Sequence, residues 1–179
     1  MLFTSIFIIL LVDIYYSWFV NANIIGGDWP YFFNETLNEF LLFPPSWSSL
    51  HGNGLGGVIP GYFLDQYLYF TAFLSLHVLH ISWEAGYKTF WFGLFLILSV
   101  FSSMFLVKTI FFQAKFWQMA VAALIFSTNT YILMVVGGGQ MGVALAYSIV
   151  PLVLARFLMI VQDSRFKIQD SLLAGLVLA

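Results

Sequence analysis

The stretch that decides the fold is TFWFGLFLILSVFSSMFLVKTIFF, residues 89–112, in which Lys108 is the one charged side chain. A helix needs about 20 apolar residues to cross the hydrocarbon core of a bilayer, so this stretch is long enough to span it. The whole chain has the same character, since its 179 residues are 61% hydrophobic and 8% charged, with a mean hydropathy of +0.95. Soluble domains carry about 25% charged residues. The sequence therefore predicts an all-α membrane protein.

Further apolar segments on both sides of this stretch predict a polytopic transmembrane helix bundle. They cover residues 1–20, 63–83, 119–136 and 141–161. A cleaved signal peptide is the less favoured interpretation of the first segment, because no basic residue precedes its apolar run. Residues 171–179 begin another apolar helix, so we expect the chain to be the N-terminal part of a longer protein. We interpret residues 1–179 as a single transmembrane domain.

A long loop, residues 21–62, follows the first predicted span and contains no lysine or arginine. Asp28 followed by Trp29-Pro30 is typical of a helix start, with a carboxylate at the cap and proline in the first turn. Pro44-Pro45 would end that helix. Because its apolar residues fall mostly on one side, we expect it to lie in the membrane interface. The glycine-rich stretch that follows predicts an irregular loop in which backbone can approach a ligand closely.

The distribution of basic residues leaves two membrane topologies open. All six lie from residue 88 onward, and positive residues in short loops favour the cytoplasm. Either the N-terminus is outside, or the segment 63–83 does not cross fully and stays outside as a re-entrant or interfacial helix. We favour the second arrangement, which leaves residues 108–118 and 162–170 cytoplasmic. It predicts a multi-pass plasma-membrane protein whose first loop is extracytoplasmic.

Asp28 is the sharpest candidate for chemistry. A carboxylate in a partly desolvated interfacial pocket has a raised pKa, which suits a general base. Capping of the following helix is the alternative role, and both roles are compatible. Asp13 is a second candidate, because an ionisable group inside a span is costly. It would otherwise pair with another helix or lie close enough to the interface to be wetted.

Other polar residues have weaker patterns. Glu35 and Glu39 share one helix face at i, i+4, where they would hold a divalent metal, flank a reacting sugar, or form a solvated face. His51 and Asn53 lie among glycines and would contact a phosphate or sugar hydroxyls, or belong to a plain connecting loop. His77 and His80 make a weak zinc site and are more typical of interfacial histidines. The chain has no basic patch, which argues against a nucleic-acid partner.

The order of these parts resembles the N-terminal region of the GT-C superfamily of membrane glycosyltransferases. The residues that carry the resemblance are a first helix, a loop opening with GGDWPYF (26–32), then Trp47 and GNGLGG (52–57), then many spans. It looks closest to the YfhO-like branch and to bacterial arabinofuranosyltransferase-like proteins. The segment FWQMAVAALIFSTNTYILMVVGGGQMG (116–142) is similar to a later helix of the family, which ends at a second outer turn.

The resemblance implies that the full-length protein is an enzyme. Its donor would be a polyprenyl-phosphate-linked sugar, and its acceptor a glycan, lipid or protein on the outer face of the membrane. Asp28 would be the catalytic base. The substrate-binding residues would be Trp29, Glu35, Glu39, Trp47, His51, Asn53 and Asp65.

The family pattern has two departures here. The second outer turn contains Gln140 and no acid, and the outer half offers no obvious basic residue for the donor phosphate. No metal ligand is assigned for this reason, and a divalent cation, Mg²⁺ or Mn²⁺, is the one cofactor left open. The alternative function is a transporter, flippase or structural membrane subunit in which Asp13 and Asp65 mark a polar path between helices.

Overall fold

The computed structural model describes residues 2–20, 47–48, 57–58 and 66–162. Apart from short turns, these residues form helices and a short β ribbon of strands β1 (Trp47–Ser48) and β2 (Gly57–Val58). The helices are α1 (Leu2–Ile14), α2 (Tyr16–Val20), α3 (Gln66–Phe73), α4 (Trp83–Tyr87), α5 (Leu94–Ile110), α6 (Phe116–Thr128), α7 (Thr130–Gly137) and α8 (Met141–Gln162). Two π-helical segments, Leu74–Val78 and Lys88–Gly93, follow α3 and α4. The chain divides into a first unit, Met1–Trp29 with Trp91–Ala179, and a second unit, Pro30–Phe90.

Two helical runs among the described residues are long and apolar enough to cross a membrane. They are Trp83–Ile110 and Met141–Val161, and they confirm helices over the segments predicted at 89–112 and 141–161. Pro151 lies inside α8 without ending it, as neighbouring helices permit in membrane proteins. The prediction of helices long and apolar enough to cross a membrane is therefore confirmed for these two.

The predicted span over 119–136 is helical but is not one continuous helix. The structure divides this segment into α6 and α7, which are bent by 48° at Asn129. Asn129 has extended backbone angles (φ −66°, ψ 159°), so it ends α6, and its side chain then caps α7. The pair counts as a third span only if the two helices are taken together.

The predicted first span, residues 1–20, is interrupted at Tyr15. Its main apolar helix, Thr4–Ile14, is shorter than a bilayer requires. Tyr15 and Trp18 are buried in the first unit, where the Trp18 ring stacks on Phe92 with centroids 4.5 Å apart. Tyr15 makes an edge contact with the same Phe92 ring. Aromatic packing at the end of α1 thus accompanies the break.

In the second unit, the described part of segment 63–83 contains no helix of spanning length. Residues 66–78 form α3 and the π-helical segment after it, which at about 1.5 Å per residue is about 20 Å long, against a hydrocarbon core of about 30 Å. The chain then reverses at His80, which has a positive φ of 52°. Ser82 begins α4 by accepting a hydrogen bond from the Ala85 N–H. This geometry matches a segment that does not cross as one helix.

Small side chains line the contacts between the membrane helices of the first unit. Ser99, Ser102 and Ser103 of α5 are buried, as are Ala144 and Ser148 of α8. Small residues let helices approach closely where lipid provides no hydrophobic driving force. The Ser102 hydroxyl donates across this interface to the Ser148 carbonyl at 2.5 Å.

The outer surface of the same helices is apolar. Ile97 and Phe101 of α5 are 67% and 57% exposed, and Val150 and Phe157 of α8 are each 56% exposed. A soluble helix would present polar residues at these positions. Small polar residues inside and large apolar residues outside are what a bilayer environment requires.

Gly86 gives a test of the close packing in the second unit. A methyl group there would overlap the Ser75 hydroxyl and lie 2.5 Å from its Cβ, so we expect Gly86→Ala to destabilise the protein by about 1–3 kcal/mol. Ser75→Gly combined with Gly86→Ala should recover part of this loss. The measurement is the thermal unfolding midpoint in detergent.

Gly137→Ala is the matched control, because a methyl group at Gly137 meets nothing within 4 Å. Its unfolding midpoint should stay close to that of the wild type. Equal midpoints for Gly86→Ala and Gly137→Ala would contradict the packing described for α4.

Candidate functional site

The β ribbon organises one part of the predicted site. Its strands are antiparallel, with Trp47 opposite Val58 and Ser48 opposite Gly57. The connecting residues 49–56 read SLHGNGLG, so both ends of the segment that contains His51 and Asn53 are held together by strand pairing. The sequence predicted an irregular loop here and did not predict a hairpin.

The other predicted site residues lie outside the described residues. These are the proposed base Asp28 and the proposed substrate-binding residues Trp29, Glu35, Glu39, His51, Asn53 and Asp65. The predicted interfacial helix of loop 21–62 lies outside them as well. Of the predicted set, the structure therefore describes the backbone of Trp47 alone.

Asp13 is described, and its side chain is exposed on α1. Its neighbours Val12 and Ile14 are also 40% and 41% exposed. The carboxylate is therefore not buried between the described helices. Of the roles considered for Asp13, an exposed position favours one near the membrane surface or toward parts of the chain that the structure does not describe.

No metal centre is found within the described ranges. His77 contacts the Phe73 ring, with centroids 5.2 Å apart, and His80 lies in the chain reversal after the π-helical segment. Among the residues that the structure describes, no three His, Asp or Glu side chains come together as a metal site would require.

A polar cluster that the sequence interpretation missed surrounds the break between α6 and α7. The Asn129 side-chain oxygen accepts a hydrogen bond from the Ile132 N–H at 3.2 Å, which caps α7. Its amide nitrogen donates to the Phe126 carbonyl at 2.8 Å and to the Tyr147 hydroxyl at 2.9 Å. The Asn129 side chain thus hydrogen-bonds to a backbone group at each helix end and to Tyr147 of α8.

A second tyrosine completes this cluster from the N-terminal part of the chain. The Tyr15 hydroxyl donates to the Ser127 carbonyl at 2.5 Å, and both groups are buried. The Tyr147 ring stacks on Phe126 with centroids 4.4 Å apart and an interplanar angle of 8°. We call Tyr15, Ser127, Asn129 and Tyr147 the break cluster. It contains neutral donors and acceptors, so it can pair freed backbone groups or hydrogen-bond a polar solute, but it offers no carboxylate or imidazole for acid–base catalysis.

The break could have been predicted from four consecutive polar residues in an otherwise apolar segment, Ser127-Thr128-Asn129-Thr130. Asn and Ser favour caps because their side chains compete for nearby backbone groups. The pattern predicts a helix interruption, although it does not identify the tyrosines that support it.

Basic residues collect at one end of the first unit. Ser102 of α5 contacts Ser148 of α8, and the Arg156 guanidinium of α8 lies 5.5 Å above the Phe105 ring of α5. Because residue numbers increase in the same direction along both helices, α5 and α8 run parallel. Lys108 lies near the end of α5, and Lys115 directly precedes α6. We call this the basic end. The turn between α7 and α8 lies at the opposite end of α8.

Replacement of Asn129 tests the break cluster. Asn129→Ala removes a helix cap, worth about 1 kcal/mol, and hydrogen bonds between helices, each worth about 0.6 kcal/mol. We expect a loss of about 2 kcal/mol in the free energy of unfolding, measured by denaturant titration in micelles. Tyr147→Phe keeps the cap and removes the hydroxyl that accepts from Asn129 at 2.9 Å and donates to the Phe126 carbonyl at 3.5 Å, so it should cost about 0.6 kcal/mol, since the longer bond is weak. An Asn129→Ala protein as stable as the Tyr147→Phe protein would contradict the capping role.

Comparisons with protein-family models, with curated proteins and with solved structures find no match for this chain. The resemblance to membrane glycosyltransferases therefore depends on the quoted residues alone. The family and the function are proposals, argued from the sequence together with the geometry above.

Proposed function

We propose that this chain is the membrane-embedded part of a glycosyltransferase. It transfers a sugar from a polyprenyl-phosphate-linked donor to an acceptor outside the cytoplasm. The observation that carries the proposal is the antiparallel pairing of Trp47 and Ser48 with Gly57 and Val58, at the two ends of the glycine-rich segment. A segment with little side-chain bulk lets backbone amides and the His51 and Asn53 side chains approach a sugar.

Apolar helices support the choice of donor. A polyprenyl chain dissolves in the bilayer, so an enzyme that uses it needs a surface that faces lipid. The exposed faces of α5 and α8 provide such a surface. Contacts with the long lipid tail would hold the sugar near the membrane surface. Their binding energy would offset the entropy lost when the sugar is oriented for reaction.

The basic end supports the favoured orientation. Lys108, Lys115 and Arg156 would face the cytoplasm by the positive-inside rule. Loop 21–62, which has no basic residue, would then face outside. The short α3 segment agrees with this arrangement, because a segment that does not cross leaves the loops on both sides of it on one face of the membrane.

In the proposed reaction, the Asp28 carboxylate takes the proton of the acceptor hydroxyl. The acceptor oxygen then forms a bond to the anomeric carbon of the sugar. The bond between that carbon and the phosphate oxygen breaks, and polyprenyl phosphate leaves with the electron pair. This scheme needs one carboxylate and leaves Glu35 and Glu39 to bind sugar hydroxyls or a divalent cation.

Replacement of Asp28 tests the enzyme proposal. Asp28→Asn keeps the size of the side chain and its ability to cap a helix but removes the base, so we expect transfer to fall by about 10²- to 10⁴-fold. The assay supplies full-length protein with a labelled lipid-linked sugar. Glu84→Gln, the same chemical change in the first turn of α4, should leave the rate unchanged. Equal transfer by wild type and Asp28→Asn would remove Asp28 from the chemistry.

A transporter or flippase is the second candidate function, and the break between α6 and α7 favours it. Interrupted helices with freed backbone groups line substrate sites in many transporters. The break cluster supplies hydroxyl and amide groups of that kind. Uptake or lipid flipping in proteoliposomes, without sugar transfer and reduced in Asn129→Ala, would favour this candidate over the glycosyltransferase.

A further inference from the structure

The corner between α5 and α6 contains a groove of about 630 Å³. Its walls are Val107 of α5, residues 111–114 of the turn that follows, and Gln118 and Ala122 of α6. Pockets of about 300–1,000 Å³ typically bind small ligands. The groove therefore has the size of a ligand site, and neither candidate function uses it.

The corner has a defined backbone. The Phe111 N–H donates to the Val107 carbonyl at 2.8 Å and ends α5, and the Ala114 N–H donates to the Phe111 carbonyl at 2.8 Å. The Gln118 side-chain oxygen accepts from the Lys115 N–H at 2.8 Å and holds the start of α6. These bonds lie within residues 107–118, so the corner itself holds the groove walls in place.

Two lysines flank the groove. The Lys108 ammonium donates to the Phe112 carbonyl at 2.7 Å and lies 5.3 Å from the centre of the Phe112 ring. An ammonium has three donors, so this bond leaves two for an anion. Lys115 lies at the other side of the turn, and its side chain is exposed. Residues 91–162 contain no aspartate or glutamate, so nothing on these helices neutralises the two charges.

The surroundings of the groove are typical of a membrane interface. Phe111 and Phe112 are 64% and 82% exposed, and Phe116 and Trp117 at the start of α6 are 45% and 47% exposed. Of these, Trp117 is the type of residue that concentrates at the level of the lipid headgroups. The groove thus has a mainly apolar lining, and a lysine adjoins that lining at each end of the corner in sequence.

We propose that this groove is a binding site for an anionic phospholipid. One acyl chain lies along Val107, Phe111 and Ala122, and the phosphate lies between the Lys108 and Lys115 ammonium groups. Basic pockets between membrane helices on the cytoplasmic side are suited to anionic headgroups, which that leaflet supplies. Charge complementarity selects an anionic lipid over a zwitterionic one, because the groove offers two cations and no acid.

Native mass spectrometry of the full-length protein in detergent tests this proposal. The probes are dioleoyl phosphatidylglycerol and dioleoyl phosphatidylcholine, which share acyl chains and differ in headgroup charge. Wild type should retain one phosphatidylglycerol in preference to phosphatidylcholine. Lys108→Gln with Lys115→Gln should reduce that preference by about 30-fold, from about fivefold for each lysine. Glutamine at 108 still donates a hydrogen bond, so the corner should keep its shape.

Two further variants separate the contribution of the groove lining from that of the lysines. Ala122→Leu fills the groove and should reduce the binding of both lipids, while Lys88→Gln, a basic residue of the second unit, should leave both unchanged. Equal retention of the two lipids by wild type, or an unchanged preference in the double lysine variant, would overturn the proposal. So would a cross-link from Phe112→Cys to a second copy or to another part of the chain, because the groove would then be occupied by protein.

Discussion

A bilayer offers no hydrogen-bond partner to a backbone carbonyl, and this constraint organises the described helices. Where α6 ends at Asn129, the Phe126 and Ser127 carbonyls are released from the helix. The Asn129 amide pairs with the first, and the Tyr15 hydroxyl pairs with the second. The break is therefore stabilised by residues that are far apart in sequence and meet there. The buried serines of α5 and α8 turn inward for the same reason, while large apolar side chains such as Ile97 and Val150 face out.

This constraint also separates the two candidate functions. A catalytic carboxylate has to lie where water and an acceptor can reach it, which suits a loop at the membrane surface. A polar path for transport has to lie inside, where the break cluster is found. The glycosyltransferase proposal places chemistry in loop 21–62 and gives the break cluster a structural role. The transporter proposal reverses these assignments.

The sequence predicted well what depends on local composition. The helices over 89–112 and 141–161 follow from continuous apolar stretches. The second has the predicted bounds, whereas the first run begins earlier, at Trp83, and ends at Ile110. The breaks at Tyr15 and Asn129 were missed, because an apolar window does not register the tertiary contacts that support an interruption. The β ribbon was missed because strands of two residues have no periodicity, and their pairing joins Trp47 to Val58 and Ser48 to Gly57 across the segment between them. Of the site residues, Trp47 alone can be compared with the structure, and Asp28 remains a prediction.

In the proposed orientation, the basic end faces the cytoplasm while loop 21–62 faces outside. Because the chain has no cysteine, single substitutions report position without background. The most direct measurement is labelling of Asn53→Cys and Gln113→Cys in intact cells with a membrane-impermeant maleimide. We expect Asn53→Cys to react in intact cells and Gln113→Cys to react only after permeabilisation. Reaction of Gln113→Cys in intact cells, with Asn53→Cys reacting only after permeabilisation, would contradict this orientation.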